Sequence, residues 1–416
     1  MLRRLSLKLC LGFVIVRGVS AQKVLTWEEA KREFRASNPS LRAARIEVQE
    51  SRAGEITAYL RPNPDLTISV DQLNLVSSES VYRPFASALP FISSTYLIER
   101  RHKRELRLES ARAGTTVAIS SLQDQERSLL FDLRNAFVLV MQNKAVLAVA
   151  RDSLAYYDRI LELSRDRLRA GDIARVDLDR MELQRVQFET DVQSAWVNLR
   201  TAKIQLRQLL NDRTPVDQFD VDGQFDFTVF ANSLDECRQA ALENRPDLRA
   251  ASQAVDKAKI DHRLAVANGS TDPVIGWDLA RDPPLRAFVG VSVTIPLRIF
   301  DRNQGEKART QLDIGRQQRI VDATRIEVLS DVDSAYETIQ SDLVLLKPYR
   351  SRYLQQAANV RETISFSYQS GGASLLEFLE AQLDYRNIRL NYLNLVGAYL
   401  MAANQLNFAV GREILP

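Results

Sequence analysis

Between positions 176 and 209, residues seven apart fall into three rows. The first is Val176, Leu183, Thr190, Val197 and Ile204; the second Leu178, Arg185, Val192, Leu199 and Leu206; the third Met181, Phe188, Ala195, Ala202 and Leu209. On a heptad wheel the second and third rows adjoin, roughly 50° apart, while the first lies about 150° away, so one helix carries two apolar seams. The rows return 200 residues later as Leu376, Leu383, Leu390, Gly397, Asn404; Phe378, Tyr385, Tyr392, Tyr399, Leu406; and Ala381, Ile388, Leu395, Ala402, Ala409. A helix with two seams needs a neighbour on each side, and that arrangement continued around is a sheet or tube of helices. The rows alone also fit an antiparallel bundle with broad apolar faces around one core.

The rest of the chain repeats as well. Leu25-Thr26-Trp27-Glu28-Glu29-Ala30 with Asn38-Pro39-Ser40-Leu41-Arg42-Ala43-Ala44 returns 207 residues on as Ser233-Leu234-Asp235-Glu236-Cys237 with Arg245-Pro246-Asp247-Leu248-Arg249-Ala250-Ala251. Arg169-Ala170-Gly171-Asp172 is matched by Gln369-Ser370-Gly371-Gly372. A period near half the chain is too long for a solenoid and means two copies of one large unit, here 22–220 and 221–416. No proline occurs from Phe91 to Thr214, and the only glycines there are Gly114 and Gly171. This predicts a helix of some 70 residues before Gly171, on the order of 100 Å long, then a tight turn and a second helix. The second copy repeats the hairpin from about Arg302, with Lys347-Pro348 expected to break it midway.

Alternation predicts four strands. Pro64–Asp71 and a weaker stretch around Ala86–Ile98 belong to the first copy. Pro273–Ala280 and Arg286–Leu297 belong to the second, with Ala287, Val289, Val291, Val293 and Ile295 on one face. The link Arg213–Ser233 has room for one short strand more. Four strands of about ten residues match membrane-spanning strands, whereas no run reaches the eighteen or so apolar residues of a membrane helix. The fold expected is mostly α with a small β part: a strand pair plus a long helical hairpin, twice over. Four strands cannot close a membrane barrel, and an open edge in lipid leaves backbone groups unpaired, so several chains must share one barrel. A trimer gives twelve strands, and the same symmetry closes the helices into an α-helical barrel that continues the β-barrel.

Composition adds an address. Residues 1–21 read as a signal peptide: Arg3, Arg4 and Lys8 precede the apolar run Leu9–Val16, and Val19-Ser20-Ala21 supply a small-residue cleavage site. Four of the 56 basic residues lie in this segment and none of the 53 acidic ones. The mature chain is therefore close to neutral, and nucleic acid is not an expected partner. With Cys10 in the signal, only Cys237 remains and no internal disulfide can form. Lys8 and Leu9 stand where a lipid-attachment signal before Cys10 needs small or apolar residues.

Catalytic chemistry finds no purchase. His102 and His262 are the only histidines, each in a charged helical context, and no metalloprotease, phosphate-loop or dinucleotide motif is present. Asp301-Arg302-Asn303-Gln304-Gly305 lacks the later acidic ligands of a calcium loop and fits a strand-to-helix turn. No enzyme, cofactor or metal site is expected, so function rests on shape and pore charge. The competing class is a soluble periplasmic coiled-coil scaffold or adaptor, which would carry one hairpin and a compact β-domain in place of four membrane-length strands.

The twin Asn-Pro-Ser-Leu-Arg-Ala-Ala and Arg-Pro-Asp-Leu-Arg-Ala-Ala starts, the strand exit Ile295-Pro296-Leu297-Arg298-Ile299-Phe300-Asp301 and the two glycine-centred tips give a chain that resembles the TolC family of outer membrane factors. The resemblance covers essentially the whole mature sequence. It implies a homotrimeric duct of a Gram-negative-type cell, with a twelve-stranded barrel in outer membrane lipid and a helical tunnel through the periplasm. Such a duct serves an efflux or type I secretion system and takes cargo from an inner-membrane pump through a periplasmic adaptor. By the same resemblance the tips Gly171, Asp172, Gly371 and Gly372 dock the adaptor, and Glu377, Glu380 and Asp177 gate the pore. The family pattern has Asp where this chain has Glu377 and Glu380. The crowd of Arg169, Arg175, Arg180, Asp172 and Asp177 predicts inter-helix ion pairs at the first tip. Nothing in the residues selects drugs, metal ions or proteins as cargo.

Overall fold

The computed structural model describes residues 23–73, 85, 88–281 and 287–415. The expected signal peptide, Cys10 included, lies outside them, as do the outer ends of the strands expected at 86–98 and 286–297.

In chain order the first copy runs β1 (Lys23–Leu25), α1 (Trp27–Ser37), α2 (Pro39–Tyr59), β2 (Asp65–Asp71), β3 (Leu89–Leu97), α3 (Lys103–Ala170) and α4 (Arg175–Leu210). A 3-10 turn at Val216–Gln218 leads to β4 (Phe219–Val221). The second copy follows as α5 (Leu234–Asn244), α6 (Pro246–Asn268), β5 (Val274–Ala280), β6 (Phe288–Thr294), α7 (Gln304–Pro348), a π-helical turn at Tyr349–Tyr353, α8 (Leu354–Gln369) and α9 (Leu375–Val410). Each copy starts from a reciprocal N-terminal cap. Thr26 with Glu29 opens α1, and Ser233 with Glu236 opens α5. In each pair the glutamate carboxylate accepts from the cap residue's own N–H, which satisfies a donor the helix cannot.

The described chain divides into two compact units. One holds the chain up to Asn38, Leu133–Asp226 and Pro348–Gly397; the other holds Pro39–Asp132, Phe227–Lys347 and Ala398 onward. In the first, β1 pairs in parallel with β4, so the link between the copies does add a short strand. In the second lies a four-stranded antiparallel sheet in the order β2-β3-β5-β6. Its register places Ile68 opposite Ile92, Ile92 opposite Leu279, and Leu279 opposite Val289. Cross-strand partners share a face. One face therefore carries Leu66, Ile68, Val70, Ile92, Tyr96, Ile275, Trp277, Leu279, Val289, Val291 and Val293 with Pro90 and Ser94 among them, and the other is mixed, with Thr67, Ser69, Ser93, Thr95, Asp278, Ser292 and Thr294 beside Leu89, Phe91, Leu97, Val274 and Phe288. The apolar face is largely exposed, Val291 at 78%. Among the described residues no protein layer covers it. The strands span seven to nine residues, shorter than the sequence pattern suggests.

The expected break at Pro348 does not occur. Pro348 (φ −64°, ψ −34°) and Leu354 both keep right-handed helical geometry, and the Leu354 N–H reaches the Tyr349 carbonyl five residues back. Proline lacks a donor and its ring crowds the carbonyl four residues before it. Widening the next turn to π geometry absorbs both defects, and the helix continues into α8.

The seams also resolve. In α4 the third row is buried from Met181 through Phe188, Ala195 and Ala202, with Leu178 and Leu206 of the second. The first row stays open: Val176 is 55% exposed, Leu183 74%, Val197 45% and Ile204 52%. In α9 the corresponding row is covered beyond Leu376, and Gly397 sits against α3. A Cβ there would meet the Gln142 side chain, whose Nε2 donates to Asn394 Oδ1 at 3.0 Å. One seam is thus used within the chain, and the other is left on α4.

Candidate functional site

The two hairpin tips belong to the same unit and are built alike. At the first, Asp172 N–H donates to the Arg167 carbonyl at 2.9 Å and Gly171 N–H to that of Leu168 at 3.1 Å. At the second, Gly372 N–H donates to Ser367 at 2.8 Å and Gly371 N–H to Tyr368 at 3.1 Å. This pair of bonds is the Schellman end of a helix, and it needs a left-handed residue just past the last turn. Gly171 (φ 85°) and Gly371 (φ 80°) supply it without a Cβ clash.

The helices entering and leaving these turns share one core. Tyr157, Ile160 and Leu161 of α3, Leu178, Met181 and Phe188 of α4, Tyr368 of α8 and Phe378 of α9 form a single buried cluster. Tyr368 stacks on Phe378 with ring centroids 5.0 Å apart, and Tyr157 packs on Phe188 at 4.8 Å. Buried phenols need acceptors. Tyr157 Oη donates to the Met181 carbonyl at 3.1 Å, and burial pushes its phenol well above the usual range. Arg167 Nη1 donates to the Tyr368 carbonyl at 2.9 Å, which ties the end of α3 to the end of α8. Asp191 of α4 pairs with Arg386 of α9. The two tips therefore stand on a common base.

Of the acidic residues expected at the mouth, Glu377 has an assignment within its own chain. Its Oε2 accepts from Ser374 N–H at 2.7 Å and from Ser374 Oγ at 2.9 Å, while its N–H donates back to that hydroxyl at 3.3 Å. This is a capping box on α9, and the backbone donation from Ser374 holds the carboxyl below the ordinary glutamate range. The spacing Ser374-x-x-Glu377 shows it in the sequence. The first tip has no such box, because Ala174 occupies the cap. Glu380 is exposed one turn further on and Asp177 half-buried in the first turn of α4. Among the described residues no hydrogen bond or ion pair joins Asp177, Glu377 and Glu380 to one another.

The inter-helix ion pairs expected at the first tip are not there. Arg169 pairs with Asp166 and Arg175 with Asp179, each within its own helix and well exposed. The links between α3 and α4 lie farther from the turn, Arg165 with Glu182 at 3.0 Å and Arg185 with Asp158 at 2.5 Å. Side chains three or four apart on one helix meet without any tertiary ordering, so they outcompete pairs across a turn. His262 takes a packing role, its Nδ1 2.9 Å from Thr310 Oγ1, while His102 is exposed and lies 3.9 Å from Glu105. No group of metal-ligating side chains gathers among the described residues. Asp301 caps the turn into α7 by accepting from the Asn303 N–H at 2.8 Å.

A one-face-apolar sheet, helical hairpins with an open seam and glycine-turned tips, present in duplicate, define an outer membrane duct rather than a globular binding domain. The chain belongs to the outer membrane efflux protein family, whose model matches residues 31–212 and 279–412. It is an outer membrane efflux channel and not an enzyme. The cobalt-zinc-cadmium resistance protein CzcC of Cupriavidus metallidurans is 25% identical over 399 residues, which is 93% of this chain and 90% of that protein. Among solved structures, the channel-forming protein CusC superposes with a TM-score of 0.77 at 18% identity, covering 93% of this chain and 92% of that one. The outer membrane protein VceC of Vibrio cholerae gives 0.75 at 14% identity, covering 94% and 97%.

Proposed function

We propose that three copies of this chain form the exit duct of a tripartite export system, spanning the outer membrane and receiving cargo in the periplasm from an inner-membrane pump through an adaptor. The observation that carries this reading is the sheet: among the described residues it has four strands, an apolar exposed face, and two free edges on β2 and β6. Free edges in lipid are untenable, and pairing β2 of one copy with β6 of the next removes them in a closed ring of about twelve strands. The open row Val176, Leu183, Val197 and Ile204 supplies the matching helical contact between copies. The repeat units fall at 22–220 and 221–416.

In this duct the tips at Gly171, Asp172, Gly371 and Gly372 are the adaptor-docking surface. Glu377, Glu380 and Asp177 form acidic rings at the mouth. Rings of carboxylates favour cations, and three-fold repetition multiplies their field. Divalent metal cations are the cargo class favoured by the resistance named for the 25% identical relative. Single-channel recording in a planar bilayer tests this. Replacing both Glu377 and Glu380 by Gln is expected to lower cation over anion selectivity severalfold and to reduce permeability to cobalt, zinc or cadmium. Unchanged selectivity would remove the gate assignment.

A further inference from the structure

A cavity of about 330 Å³ lies where the sheet meets the start of α3, lined by Arg61, Pro62, Tyr96, Leu97, Ile98, Glu99, Lys103, Arg104 and Glu105. All of these belong to one unit. Tyr96 and Ile98 are on the apolar, lipid-facing side of β3 and its continuation, by the alternation that places Ile92 there. The cavity is therefore at the rim of the lipid-facing surface, at the end of the sheet that runs into the helices. An aromatic side chain beside cationic ones at such a rim is the usual composition of a membrane interface.

The charges show what is left over. Lys103 is buried and satisfied by Asp272 and by the Ser270 carbonyl at 2.9 Å. Glu99 is taken by Arg107, whose guanidinium also reaches the Ala58 and Leu60 carbonyls. Arg104 meets Glu105 at 3.0 Å and lies over the Tyr59 ring at 4.5 Å, yet its Nε is buried with no acceptor. Arg61 is exposed at the cavity wall and has no acidic partner among the described residues. Counting Arg107 and Asp272 with the lining, four cations face three carboxylates, so one positive charge remains and one buried donor is unmet. An exposed guanidinium at the cavity wall with no carboxylate to meet it invites an anion.

We propose that this cavity binds the phosphodiester of a glycerophospholipid in the leaflet nearest the helices, Arg61 and Arg104 donating to the phosphate oxygens and Tyr96 and Ile98 lying along the acyl stem. Guanidinium groups match phosphate geometry, and a monoanionic phosphodiester cancels the single excess charge. The assignment rests on the sheet lying in the outer membrane.

The test is native mass spectrometry of the full chain in detergent, titrated with phosphatidylglycerol. We expect a saturable lipid per chain, with Arg61→Gln and Arg104→Gln each raising the apparent Kd about five- to tenfold, Arg169→Gln leaving it unchanged, and excess inorganic phosphate failing to displace the lipid. Equal retention by Arg61→Gln and the unsubstituted chain overturns the site, and so does displacement by inorganic phosphate, which would mark a plain anion pocket. Arg61 is exposed and unpaired, so its replacement leaves the fold intact. A chain recovered soluble without detergent would instead sink the membrane reading, a failure distinct from lipid retention indifferent to Arg61.

Discussion

Gly171 and Gly371 show how single residues set the tips. Their positive φ is required by the Schellman bonds, and an L side chain there costs on the order of 1 kcal/mol. Gly372, its neighbour, has no positive φ, and a Cβ there would meet Ser367 Oγ at 3.0 Å and the Ser367 carbonyl at 3.6 Å. Gly371→Ala should therefore speed amide hydrogen exchange at residues 366–372 about fivefold, with Gly372→Ala changing it less; equal effects would contradict the assignment of strain to Gly371. At the same scale Glu377 is tied to a role that the family resemblance does not name, the cap of its own helix. The Ser-x-x-Glu spacing was available in the sequence to announce it. The Tyr157, Tyr368 and Phe378 stack was not legible, because Tyr157 and Tyr368 lie 211 positions apart and only folding places them in contact.

Among the elements, the ones that hold each unit together are anchored by carboxylates in half-buried networks. Asp220 of β4 takes Lys144 at 2.8 Å and Lys203 at 3.1 Å, and Asp247 of α6 takes the buried Arg245, which also holds Asp331 at 2.7 Å. Burial alone would raise both carboxyls, but the hydrogen bonds from these cations outweigh it and hold them below the ordinary aspartate value of 3.8. A depressed folded-state pKa means stability that is complete above about pH 4 and lost as pH falls through the folded value. The melting temperature should thus be flat from pH 7 to 5 and drop below pH 4. Asp220→Asn should lower it at pH 7 and flatten its acid limb; an acid limb as steep as in the unsubstituted chain would discount this network. The elements themselves follow from local signals, as the capping boxes and the 68-residue α3 illustrate. Pro348 is the exception. Local sterics forbid an ordinary helical hydrogen bond at proline, yet the backbone stays helical through a π turn.

For the whole molecule, apolar surface left open is the decisive feature. A chain that leaves Leu183, Val197 and Ile204 exposed on one unit, and on the other an apolar sheet face whose outer strands have no further partner among the described residues, is incomplete by itself. Leu183→Asp with Val197→Asp places charge in the contact between copies and should convert a trimer in detergent to monomer, measured as mass by light scattering. A trimer of undiminished stability would relocate the contact. The single-chain core loses nothing by this change, since the substituted row lies opposite the buried one.

The sequence alone determined the duplication, the order of strands and helices, the two seams and the turn glycines. Each is written in local spacing: period two for strands, seven for seams, and backbone freedom at glycine. Tertiary structure decided which seam is used, since burial of one row of α4 depends on α3, α8 and α9 arriving beside it. It also decided which charges pair, because residues three or four apart on a helix meet at little entropic cost while partners across a turn compete with water. The cavity at Arg61 and Arg104 belongs to the same class. Arg61 is left without a carboxylate only once Glu99 has paired with Arg107, Asp272 with Lys103 and Glu105 with Arg104.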